Sequence, residues 1–149
     1  MIYVCSFFVL LLMAIPLSAQ DLPKDYQEVL TFLARTGDYK AKVLKVNVPR
    51  NDLDLIEMGA AINARMGLNS WAAFAGNDAG AQVAGDIAMR ESEVNAVLKA
   101  LRSHGLNIVA IHNHMLDTQP TVIFLHYWGR GPAPKLAAGF RSALDVLGK

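Results

Sequence analysis

The stretch that most limits the fold is residues 108–128, IVAIHNHMLDTQPTVIFLHYW. It reads as two strands joined by a short polar loop, and it carries three of the four histidines. Side chains on a strand alternate between faces with a period of two. His112 and His114 therefore share a face with Ile108 and Ala110, while Val109, Ile111 and Asn113 point the other way. In the second run Val122, Phe124, His126 and Trp128 share one face, and Thr121, Ile123, Leu125 and Tyr127 the opposite one. Residues opposite each other in an antiparallel pair lie on the same side of the sheet. A register with His112 opposite His126 gathers all three imidazoles on one surface, whereas a one-residue slip separates them. Two histidines at i and i+2, with a third from the neighbouring strand, suit a metal site with an open coordination position. The competing reading is that these histidines are structural, or orient a polar ligand. The run His112-Asn113-His114 is not the nuclease motif with those letters, which spreads its residues over two strands and a helix.

The chain has 149 residues, which sets the expectation of one folded domain. Lys plus Arg number 14 and Asp plus Glu 13, so the chain lacks the basic footprint of a nucleic-acid binder. Residues 1–19 carry no charged side chain and end in Leu17-Ser18-Ala19. The apolar run from Phe7 to Ile15 is too short to span a bilayer comfortably. This predicts a secretory signal peptide cut after Ala19, with an uncleaved anchor as the alternative. A periplasmic or secreted location follows, with no stable membrane anchor after cleavage. Cys5 is the only cysteine and lies inside this segment, so disulfides cannot hold the remainder together.

Residues 21–35 form an amphipathic pattern with Leu22, Tyr26, Val29, Leu30 and Leu33 at helical spacing, Asp21 as the cap and Gly37 as the stop. Residues 20–39 are therefore assigned to an N-terminal helix and linker, and residues 40–149 to a single α+β domain. Residues 40–48 alternate as one strand ended by Pro49-Arg50, and residues 52–57 form a weaker second strand. Residues 59–68 fit either a short helix or a loop. Residues 70–75 and 82–89 flank a Gly/Asn/Asp cluster and predict a hairpin. Gly85 within the second of these strands signals a bulge or a close backbone approach. Residues 90–104 form the clearest helix, striped by Val94, Val97, Leu98 and Leu101, with Glu91 and Glu93 in its first turn and Gly105 as the αL cap. His104 is explained by its place at the helix end. After the histidine hairpin, residues 129–134 break the strand, and residues 135–147 close the chain as a helix. From Ser70 the order is ββα ββα. That order predicts a two-layer α+β sandwich, mainly antiparallel sheet with helices on one face.

Four blocks carry a resemblance. Residues 67–74, GLNSWAAF, are similar to a GLGSWAAF block. Gly85-Asp86 followed by Glu93-Val94 resembles a second block. Ala110 to His114, then Pro120, His126 and Gly129-x-Gly131, resembles a third, and residues 46–53, VNVPRNDL, an upstream strand pair. Together, over roughly residues 40–147, these resemble the LppY/LpqO-like group of bacterial envelope proteins, a domain of unknown function. The resemblance implies export or envelope association and no established reaction. The chain departs from it by lacking the lipid-attachment cysteine of the mycobacterial lipoproteins. It also has one copy of a domain that some relatives carry twice, so a site completed by a second copy requires a homodimer here.

Two functional expectations follow. In the first, His112, His114 and His126 hold a divalent metal, zinc before others, through neutral imidazoles. The metal activates water, with Asp86 or Glu93 as carboxylate ligand or general base. In the second, Trp71, Phe74, Phe124 and Trp128 line a pocket for a small molecule or envelope component, and the domain is a non-enzymatic binding module. The sequence holds no Gly-rich phosphate loop, no Gly-x-Ser-x-Gly elbow and no cysteine nucleophile beyond the leader. No catalytic residue is assigned.

Overall fold

A computed structural model describes residues 21–77 and 80–149. The leader read at residues 1–19, with Cys5, lies outside the described residues, as do Asp78 and Ala79 of the turn within residues 76–80. The order of elements is α1 (Lys24–Leu33), β1 (Asp38–Lys40), β2 (Val43–Pro49), β3 (Ile56–Glu57), β4 (Ala60–Ala61), β5 (Asn69–Ala75), β6 (Ala81–Arg90), α2 (Val94–Ser103), β7 (Asn107–Asn113), β8 (Val122–Gly131) and α3 (Ala133–Leu144). Six strands form one sheet in the order β1-β2-β5-β6-β8-β7, and every neighbouring pair is antiparallel. The fold is α+β, with the ββα ββα order over its second half.

Alternation decides which side of the sheet is covered. Leu44, Val46 and Val48 of β2, Ala72 and Phe74 of β5, Val83, Ile87 and Met89 of β6, and Leu125 and Tyr127 of β8 share one face. They form the main core with Tyr26, Val29 and Leu33 of α1, Val97 and Leu101 of α2, and Leu136, Phe140 and Ala143 of α3. All three helices thus bury their apolar stripes against the same side. The other side carries Lys45, Asn47, Trp71, Ala84, Asp86, Phe124, His126 and Trp128.

Several local readings change. Residues 40–48 are not one strand but the end of β1, a turn and β2. The turn residues Ala41 and Lys42 both have positive φ, 50° and 63°. A two-residue hairpin turn needs such angles, and Gly or Asn normally announces it. Here neither residue does, so the turn is silent in the sequence. Of residues 52–57 only Ile56 and Glu57 pair, with Ala60 and Ala61. β8 continues through Gly129 and Arg130 to Gly131, paired with Val83, Gln82 and Ala81 of β6. A Cβ on Gly129 would lie 2.3 Å from Leu106 Cδ2, so the glycine there serves close packing and not a strand break.

Residues 50–68 leave the sheet and fold back over one end of its helix-free side. Leu53, Leu55, Leu68 and Ile62 make a small second core there with Ala88, Val122 and Phe124. Arg50 pins this flap. Its guanidinium donates to both carboxylate oxygens of Asp52 at 2.8 Å, to Glu93 at 3.0 and 3.1 Å, and to the carbonyl of Ala88. The Arg50 side chain holds the Asp52 carboxyl down at about 2. An unfolded aspartate titrates near 3.9. The stabilisation from Asp52 is therefore intact at neutral pH and is lost as pH falls from about 4 to about 2. Asp52 is 43% exposed, so solvent screening keeps this contribution small. Urea midpoints measured across that window should fall less steeply for Asp52→Asn than for the unaltered protein, and parallel slopes would remove Asp52 as a cause.

Candidate functional site

The helix-free side of the sheet holds the histidines, and β8 is their centre. His126 lies opposite Asp86 of β6 on one flank and opposite Ala110 of β7 on the other. His112 lies opposite Phe124, so the register is shifted by two residues from the His112–His126 pairing expected from the sequence. A shift of two preserves the face where a shift of one would not. A bulge between Ile108 and Ala110 turns Ile108 onto the helix side, against the main core, and leaves Ala110, His112 and His114 on the open side.

His112 and His126 are diagonal neighbours, with ring centroids 5.0 Å apart and Nε2 atoms 3.0 Å apart. Each ring's other nitrogen already faces an acceptor. His112 Nδ1 is 3.0 Å from the carbonyl oxygen of Asn113, which can only accept, so Nδ1 carries the hydrogen. His126 Nδ1 faces Oδ1 of Asp86 at 3.5 Å, an ion-pair separation. Asp86 is buried, and among the described residues its Oδ1 makes no hydrogen bond. Burial pushes the Asp86 carboxyl up, opposed by the nearby imidazoles of His126 and His112. A carboxylate beside Nδ1 fixes the tautomer that leaves Nε2 bare. Two bare Nε2 lone pairs 3.0 Å apart repel unless a cation, a proton or a metal, lies between them.

His114 does not join that pair. Its ring stacks on Phe124 with centroids 4.4 Å apart, beside the flap at Gly67, and its Nε2 is buried without a partner among the described residues. Burial and then the charge of His112 lower its pKa. Among the described residues, no group of three or more His, Cys, Asp or Glu is arranged to hold a metal ion.

Three further candidates move. Glu93 is not near a ligand position. Its carboxylate accepts from Arg50, from the backbone N–H of Arg90 at 2.7 Å and from that of Gly148 at 2.6 Å, with the Arg90 guanidinium 3.5 Å away. Phe74 lies on the helix side and is fully buried, so it cannot line a pocket with Trp71. Phe124 is covered by the flap and by the rings of His112 and His114. Trp71 and Trp128 remain on the open side, Trp71 opposite Asp86 and beneath the Lys45 ammonium, 4.5 Å from its ring centre. His104 ends α2, its Nδ1 3.0 Å from the carbonyl of Ala100. Arg50 carries no sequence signal of its buried role beyond being a cation directly after a strand end.

The fold and the histidine pair define a class: an α+β domain with one helix-covered and one largely open sheet face. The chain belongs to the family described as Domain of Unknown Function (DUF1259), whose profile matches residues 27–146. No curated protein and no solved structure matches it.

Proposed function

We propose that this is an exported, envelope-associated domain of the LppY/LpqO-like group that binds a divalent transition-metal cation, zinc before others, through Nε2 of His112 and His126. The observation that carries this reading is the 3.0 Å approach of two Nε2 atoms whose partner nitrogens already face acceptors. Imidazole nitrogens bind zinc at about 2.0–2.1 Å, so two adjacent ligands stand about 3.0–3.4 Å apart. The pair fits that spacing with little movement. Asp86 would act on the metal through His126, orienting the ring and raising its basicity. The remaining coordination positions would admit water or an oxygen-bearing ligand.

The test is zinc titration of the purified protein by calorimetry. One equivalent should bind, and His112→Ala or His126→Ala should abolish it. His112→Ala should leave unfolding free energy within about 0.5 kcal/mol, since that side chain is exposed, whereas His126→Ala also removes the partner of the buried Asp86. His114→Ala should leave binding in place. Binding should weaken as pH falls, because protons compete for the same lone pairs. Zinc that fails to bind, or binds equally well to both alanine variants, overturns the reading. Export rests on the uncharged residues 1–19 with their small-residue ending, and amino-terminal sequencing of the protein from the producing cell checks it. A second reading, a binding module for an envelope component, is favoured by Trp71 and Trp128 standing on the open side next to the pair.

A further inference from the structure

The open side carries more than the histidines. Trp71 pairs with Asp86 and Trp128 with Ala84, so the two indoles stand on strands β5 and β8, with β6 between them. Strand spacing and rise put their Cα atoms about 12 Å apart. Between them lie Ala73, Ala84 and the buried Asp86, with His126 beside Asp86 on β8, so the floor is made of short side chains bordered by one imidazole. Trp71 and Trp128 are the only two tryptophans in the chain. Neither is needed by the core, which sits on the other side.

Polar groups surround this floor. Asn47 lies opposite Trp71, Asn107 opposite Trp128, and His126 follows on β8. The charge has one sign. Lys45 and Arg130 are exposed on this side and form no ion pair among the described residues, while Asp86, the only carboxylate on β2, β5, β6 and β8 here, is buried. The edge strand β1 adds one charge of each sign, Asp38 and Lys40.

We infer that this face binds an acidic pyranose chain, with sugar rings stacked on Trp71 and Trp128 and their carboxylates beside Lys45 and Arg130. The C–H face of a pyranose is flat and apolar, and its rim is a ring of hydroxyls. Two spaced indoles on a low floor, edged by amides, match that shape. Aromatic faces supply rigid apolar area at small entropic cost. Lys45 and Arg130, neither in an ion pair among the described residues, select an anionic chain over a neutral one, with the Lys45 ammonium moving from the Trp71 ring to a sugar carboxylate, and such steering weakens with salt. The inference rests on the open side being the binding side, and not on a cation at His112 and His126.

The probes are hexagalacturonate and, as the neutral chain, cellohexaose. Because both indoles lie on this face, tryptophan emission reads occupancy directly, and calorimetry reads affinity in the tryptophan variants. Hexagalacturonate should change the emission saturably, and cellohexaose should bind about tenfold or more weakly, a difference of about 1.4 kcal/mol. Trp128→Ala should weaken binding about tenfold with unchanged unfolding, as loss of an aromatic anchor does. Trp71→Ala should do the same, and Lys45→Ala with Arg130→Ala should erase the preference for the acidic chain. His112→Ala should bind the probe normally, so loss of the zinc reading leaves this one standing. No saturable signal with either probe, equal affinity for the neutral chain, or full affinity in Trp128→Ala overturns the inference.

Discussion

Glu93→Ala should destabilise the protein by about 3–5 kcal/mol, the cost of removing one partner from a buried ion pair. The side chains of Arg50 and Glu93 are each 4% exposed, so neither charge can turn to water for compensation. Removing the carboxylate takes away the buried one of the two counter-charges of Arg50, leaving only its pair with the half-exposed Asp52, and also leaves the backbone N–H groups of Arg90 and Gly148 without their acceptor. Asp52 keeps its pair with Arg50 but accepts from neither of the two amides. Glu93→Gln keeps an acceptor for the two amides and should lose less. Replacing both partners together, Arg50→Met with Glu93→Leu, should recover only part of the loss, because it removes the buried charge but leaves the two amides without an acceptor. Urea unfolding measures each variant, and a loss below about 1 kcal/mol for Glu93→Ala would show that the pair does not anchor the flap. The flap should also become protease-sensitive within residues 50–68, since Arg50 ties it to the end of β6 through the carbonyl of Ala88.

Period alone made most of this architecture legible. β2, β5 and β8 alternate because one side faces helices and the other does not, and a one-sided sheet writes that difference into its sequence. β6 is a partial exception. Its residues Gly85 to Met89 are buried on both sides, helices on one and the flap or the Trp71 and His126 side chains on the other. The β1–β2 turn escaped because Ala41 and Lys42 adopt left-handed angles without the residues that usually mark them. The flap escaped for a different reason. Its stability comes from a long-range ion pair, Arg50 with Glu93, and no local period reports a contact across forty residues of chain.

The histidine face was legible as a face and not as a geometry. Alternation placed His112, His114 and His126 on one side, but register depends on the length and path of the β7–β8 loop. Which imidazoles meet depends in turn on what covers them. Phe124 lies opposite His112 and captures the His114 ring, which leaves a pair where three were expected. Glu93 misled because a glutamate at a helix start has an obvious local role, and its actual role reaches Arg50 and Gly148. Phe74 was separable from Trp71 by counting alone, since residues three apart on a strand face opposite ways.

Gly85→Ala should cost about 3 kcal/mol or more, the upper end of what overpacking a rigid core costs. A Cβ on Gly85 would sit 2.1 Å from Cζ and Oη of Tyr127 and 2.4 Å from its Cε1. A flexible neighbour would swing aside, but Tyr127 cannot. It is 1% exposed, its ring stacks on Phe140 of α3 at 6.2 Å, and its hydroxyl donates to the carbonyl of Trp71 at 3.3 Å. Relief therefore has to come from the backbone of β6, which is hydrogen-bonded to a strand on each side. The next residue on β6 is Asp86, so the same displacement moves the carboxylate away from His126 Nδ1. Loss of stability and loss of zinc affinity should appear together in Gly85→Ala, in contrast with His112→Ala, which removes affinity alone. In a Tyr127→Leu background the added methyl has room, and its cost should shrink well below the sum of the two single changes. If Gly85→Ala instead unfolds with the midpoint of the unaltered protein, Tyr127 is free to move and the rigid floor beneath Asp86 does not exist.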